Sequence, residues 1–206
     1  MAFIGFGTPG LVERMAAGPE PLLHYAGLLS MRPHSADRLQ AMLSDWLGRR
    51  VEVVQFVGDW LSLPANQHTQ MPQGRPTGTF NQLGRDATID VRAWDIQVRI
   101  ILRIRPLDSD GFAALLPNRQ LLRRLMSPTR AFWGFETGFA VNPVLSSWAV
   151  PPLRLEGGAA TGAPPTRLMW NIWMPKGGQC GDTGDAIFDV ELVEGEEARA
   201  VVHLRT

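Results

Sequence analysis

Lysine is almost missing from this chain, with Lys176 the sole example, and cysteine occurs once, at Cys180. One cysteine cannot close an internal disulfide, so a reducing compartment fits and a disulfide scaffold is excluded. With lysine scarce, arginine carries the positive charge, and arginine suits planar, buried pairing with carboxylates. Twenty basic and twenty acidic side chains cancel to a formal net charge of zero. No long basic run appears, which argues against a nucleic-acid partner. No apolar run approaches the roughly 20 residues of a membrane-spanning helix, so no membrane insertion is expected. The start, "MAFIGFGTPGLVERM", has no basic leader and is interrupted by Gly and Pro, which makes it a poor signal peptide.

Metal and nucleotide signatures are absent too. There is no HxxxH, CxxC or HExxH, no GxGxxG and no GxxxxGK[ST], so neither metal nor cofactor is expected. The four histidines, His24, His34, His68 and His203, stand in unlike contexts.

What remains is an ordinary globular composition, 45% apolar and 19% charged, over 206 residues. In "RPHSADRLQAMLSDWLG", Leu39, Met42, Leu43, Trp46 and Leu47 recur at helical spacing and fall on one face. Ser35 is the expected N-cap and Gly48 the expected stop. "VEVVQFVGDWLSLP" reads as strand, with Gly58-Asp59 a turn or bulge. "WDIQVRIILRIRPL" alternates Trp94, Ile96, Val98, Ile100, Leu102 and Ile104 with mostly charged residues, which predicts one long half-solvated strand. A second helical region spans 108–134, divided by Pro117 and Pro128. Strands are expected again in "FAVNPVLSSWAVPPLRL", "RLMWNIWM", "AIFDVELV" and "ARAVVHL", with a hairpin turn at 194–197. The class is α+β, antiparallel strands or a meander with short helices packed against them. "QFVGDWLSLP" and "PVLSSWAVPP" echo one another around Trp60 and Trp148, which raises the idea of two related helix-strand-strand units, 31–107 and 108–206.

"GGQCGDTGD" loosely resembles a serine-protease nucleophile loop, but Thr183 stands where serine would, and no histidine accompanies it. Asp182 would raise rather than lower the pKa of Cys180. A turn between strands is expected, and no enzyme. In "LGRDATIDVRAWD", the residues Arg85, Asp86, Asp90, Arg92 and Asp95 read as an Arg–carboxylate network at a strand entry. The tryptophans are spaced for core or interface burial.

"YAGLLSMRPHSADRLQAMLSDWLGRRVEVVQFVGDWLSLP", then "LGRDATIDVRAWD" and "RIRPLDSDGFAALLPN", resemble the TssG (ImpH/VasB) family of type VI secretion baseplate subunits. The residues that carry the resemblance include Arg32, Ser35, Gly48, Phe56, Gly58, Trp60, Pro64, Gly84, Arg85, Asp86, Trp94 and Asp95. The chain departs from the pattern at Asp90 and Arg105, where the family has glycine. Family members are longer, so residues 1–30 are expected to be the remnant of a helical N-terminal region, ahead of a TssG-like region over 31–206. The resemblance implies a non-enzymatic, cytoplasmic scaffold in the baseplate wedge, facing the inner membrane. Its implied partners are TssF and TssK, with the hub, spike and sheath-proximal subunits nearby. The alternative is an adaptor or remnant that folds without assembling. Two loops are candidate partner contacts: "NQHTQMPQGRPTGTFN", with Gln73, Arg75 and Phe80, and "EGGAATGAPPT", with Pro164.

Overall fold

The computed structural model describes residues 15–71, 78–88, 90–151, 167–173 and 181–190. Two short helices, α1 (Glu20–His24) and α2 (Ala26–Ser30), lead into α3 (Ala36–Leu47). The spacing read from the sequence places Leu39, Met42 and Leu43 in the core, with Trp46 and Leu47 packed at its margin. The Ser35 side chain accepts from the Arg38 amide at 3.4 Å, and Gly48 closes the helix at φ 61°, a left-handed cap that costs glycine little.

Four strands form the main sheet: β1 (Arg50–Val54), β4 (Arg99–Leu107), β5 (Gly138–Leu145) and β6 (Phe188–Asp189), in spatial order β1-β4-β5-β6. β1 runs antiparallel to β4, and β6 antiparallel to β5. The α+β class expected from the sequence is observed. One pairing departs from the antiparallel reading, because β4 and β5 are parallel. Two helices, α4 (Ser109–Ala114) and α5 (Gln120–Trp133), make the crossover that a parallel pair requires. Pro117 falls between them, as expected, but Pro128 lies inside α5. The helix continues through it, and the Thr129 hydroxyl donates to the Leu125 carbonyl at 2.8 Å.

One face of the sheet carries Val51, Ile100, Leu102, Ile104, Phe139, Val141 and Phe188 into a core closed by α3, α4 and α5. Leu22 and Leu29 of the first two helices belong to the same core.

"WDIQVRIILRIRPL" is not one strand. It divides into β3 (Arg92–Asp95) and β4, which lie in different sheets. β3 pairs antiparallel with β2 (Asp59–Ser62), Trp60 opposite Trp94 and Asp59 opposite Asp95. "RLMWNIWM" also differs, since 168–170 form a turn from which Trp170 and Trp173 pack onto the core. The strand expected at "ARAVVHL" and the hairpin at 194–197 lie outside the described residues.

Two long excursions interrupt the sheet. Residues 55–98 separate β1 from β4, and residues 146–187 separate β5 from β6, with 72–77, 89, 152–166 and 174–180 outside the described residues. The sequence echo falls at the start of each: Trp60 lies in β2, and Trp148 in the 3-10 turn Ser147–Ala149.

Candidate functional site

The first excursion is an arm with its own short sheet. Phe56, at φ 57°, turns the chain out of β1, and Gly58 then passes under the Trp94 ring. A Cβ at Gly58 would lie 2.1 Å from Cζ2 of Trp94, so only glycine permits this approach. Trp60 and Trp94 face each other across the strands, edge to face, with ring centroids 5.3 Å apart. Beyond them the Leu63 amide donates to Val91, Thr69 and Thr88 exchange hydrogen bonds, and Gln70 bridges to Thr79. Gly84, at φ 78°, forms the turn Gln82–Asp86 in which the Asp86 carboxylate accepts from the Gln82 amide at 2.8 Å.

Apolar side chains cover this arm without entering the core, to which no residue between Val53 and Ile100 belongs among the described residues. Phe56 is 64% exposed, Trp60 54%, Trp94 56% and Leu83 89%, and Ile96, Val91 and Met71 are exposed as well. Polar chain would satisfy a solvent-facing loop. Large apolar side chains exposed on one appendage are unusual for a surface that faces only water.

Nine of the residues that carried the sequence resemblance lie in this arm: Phe56, Gly58, Trp60, Pro64, Gly84, Arg85, Asp86, Trp94 and Asp95. Arg32, Ser35 and Gly48 instead frame α3. Phe80 sits in the arm at φ 51° and 37% exposure, whereas Gln73, Arg75 and Pro164 lie outside the described residues. The expected Arg–carboxylate network does not form. Arg85 binds Gln82, and Asp86, Asp90 and Asp95 each cap a nearby backbone amide, so local turn geometry has claimed the acids.

The arm's base holds what the sequence did not reveal. Arg99, 5% exposed, forks between Asp59 and Asp189, with both N···O distances at 2.8 Å. Nothing in its alternating segment marked Arg99 as buried.

"GGQCGDTGD" serves the backbone where it is described. Thr183 bridges to Leu145 through both backbone groups, and its hydroxyl donates to the Leu145 carbonyl at 3.4 Å. Asp182 accepts from the Ser147 amide at 3.0 Å, and Cys180 lies outside the described residues. His34 stacks on Phe132, and His68 bonds the Leu63 carbonyl. A groove of about 390 Å³ between α3, β4, α4 and α5 is lined by Ile104, Leu107 and Leu115 together with Arg49 and Arg124. Among the described residues, no group of three His, Cys, Asp or Glu side chains could hold a metal ion, and no helix is long and apolar enough to cross a membrane.

The class is an α+β body that carries an appendage with an exposed aromatic pair outside the core. The family model for type VI secretion TssG matches residues 1–175, and the chain belongs to that family. Two solved structures share the fold. A chain of the type VI secretion TssK-TssF-TssG baseplate subcomplex, determined by cryo-electron microscopy, superposes with a TM-score of 0.67 at 15% identity, over 88% of this chain and 73% of that one. A chain of the type VI secretion baseplate complex gives 0.54 at 17% identity, over 97% of this chain and 55% of that one. No curated protein sequence matches.

Proposed function

We propose that this chain is a non-catalytic scaffold subunit of a type VI secretion baseplate wedge, assembling with TssF and TssK on the cytoplasmic side of the inner membrane. Hub, spike and sheath-proximal subunits complete its surroundings. Family membership supports the assembly. The observation that carries the contact is the exposed Trp60–Trp94 pair on an arm outside the core. Aromatic pairs of this kind are typical anchors of protein interfaces, where truncation costs about 2 kcal/mol or more. The arm segment 66–81, with Gln73, Arg75 and Phe80, and the second excursion, with Pro164, are the proposed contact loops.

The test is co-expression with TssF and TssK, affinity purification and native mass spectrometry. The expected result is a complex containing TssF, and loss of at least one partner from the Trp60→Ala, Trp94→Ala double variant while its circular dichroism stays native. Folded parent protein that captures neither partner would refute the reading and favour an adaptor or remnant.

A further inference from the structure

At the arm's base, Asp59 and Asp95 stand directly opposite one another in register, a like-charge pair that a two-stranded sheet does not tolerate well. Two strands alone are also marginal in water. Arg99 answers both problems. It is the first residue of β4, immediately after the arm returns, and its carbonyl accepts from the Val57 amide at 3.2 Å. Its Nη1 reaches Asp59 within the arm, and its Nη2 reaches Asp189 on β6, the strand into which the second excursion returns.

Burial makes this geometry strict. The guanidinium side chain is 6% exposed, so it is held by its two carboxylates with little help from water. The rigid planar fork aims its two Nη groups at two separate carboxylates in a fixed geometry, whereas the three donors of an ammonium radiate from a single point on a flexible stem. Beyond its two ends, where Val57 donates to the Arg99 carbonyl and Val98 accepts from the Gly138 amide, the arm's backbone bonds run within the arm, and among the described residues none of it joins the core.

We infer that Arg99 is a positioning residue: forked between Asp59 and Asp189, it fixes the direction in which the aromatic arm leaves the sheet and registers the arm against the strand that closes the second excursion. The inference rests on the reading of the arm as a contact surface only for its biological use, because the geometry can be measured without any partner. A rigid appendage meets its partner with less ordering entropy left to lose, which is what a fixed arm direction supplies.

Spin labels at Leu83→Cys on the arm and Arg123→Cys on α5, in a Cys180→Ser background, report the arm-to-body distance distribution in the whole chain. Both positions are exposed. The parent gives one narrow distribution. Asp59→Asn keeps the shape and the amide cap to Trp60 but weakens the pair, and Arg99→Lys keeps the charge but loses the fork. Each broadens the distribution about twofold while circular dichroism stays native. Asp90→Asn, an exposed arm carboxylate that only caps Val91, leaves the width unchanged. Should Arg99→Lys fail to fold, Asp59→Asn decides alone. An unchanged width in Asp59→Asn overturns the inference, whatever partner capture shows. Loss of capture in the tryptophan variants with a normal parent width concerns the contact reading and leaves this one standing.

Discussion

Gly58→Ala separates the arm from the body energetically. The added methyl would fall 2.1 Å from Cζ2, 2.4 Å from Cε2 and 2.9 Å from Nε1 of Trp94, so the indole must leave. It can leave, because Trp94 is already 56% exposed and faces solvent on its outer side. The loss is its edge-to-face contact with Trp60, about 0.5–1.5 kcal/mol. To this is added the covered part of the ring, on the order of 100 Å² at about 25 cal/mol per Å², of which a fraction is recovered in the new position. The arm should therefore open more easily by about 1–3 kcal/mol. Global stability should move by less than about 0.5 kcal/mol, because neither ring touches the core. Hydrogen exchange reads both quantities. The Leu63 amide, bonded to Val91 in the arm, should lose protection, while that of Leu102 in β4 should keep it. The tryptophan exciton band in circular dichroism should disappear in parallel. Equal loss of protection at Leu63 and Leu102 would refute the reasoning, since it would make arm and body one cooperative unit. Unchanged protection at Leu63 would refute it as well.

Two further predictions concern titration. Tyr25, the only tyrosine, is pushed up to about 12 by burial and by its 2.6 Å hydrogen bond to Asp45, whose charge adds to the effect. A raised pKa favours the protonated phenol in the folded state. Its contribution to stability is therefore complete below pH 10 and lost between there and about 12. Tyrosinate absorbance in Asp45→Asn should appear at lower pH than in the parent, and coincident curves would remove the pair from the account. Glu52 is held below its ordinary value of 4.5, first by the Arg105 hydrogen bond and then by the charges of Arg105, Arg103 and Arg50, with burial opposing. That stabilisation is present above 4.5 and fades as pH falls, so urea unfolding of parent and Glu52→Gln should converge in acid. A gap that persists at low pH would contradict the assignment.

Legibility in the sequence followed the range of the interactions. α3 was readable because its apolar period, N-cap and glycine stop lie within 14 consecutive positions, from Ser35 to Gly48. β4 was misjudged for the opposite reason. Alternation runs unbroken from Trp94 to Ile104, yet the chain changes sheets at Ile96–Val98, so the same period puts Trp94 in solvent and Leu102 in the core. Arg99 read as one more solvated charge, because its carboxylates are distant in the chain: Asp59 precedes it by 40 residues, and Asp189 is farther still. The parallel β4–β5 pair was hidden as well, since apolar patterning does not encode strand direction. The arm was legible as a family signature before it was legible as an arm. Phe56, Trp60 and Trp94 read as ordinary strand residues by propensity, with Gly58 a turn or bulge between them, and the structure uses all four where the chain leaves the sheet.

The two excursions occupy equivalent places in the chain, each beginning after a helix and a strand and returning as an antiparallel neighbour. Trp60 begins one of them. Trp148, 78% exposed, begins the other, after the Ser147 amide is fixed by Asp182. A tryptophan so exposed contributes little to folding, because the apolar surface it could bury is still in water. Trp148→Ala should accordingly leave thermal unfolding within about 1 °C of the parent. If the excursion is a contact surface, the same variant should weaken capture of TssF or TssK by about tenfold or more. Co-purification with quantified partner ratios, run beside the Trp60→Ala variant, checks this directly. Intact capture by Trp148→Ala together with lost capture by Trp60→Ala would confine recognition to the first arm. The sequence echo would then mark a shared place in the chain and not a shared task.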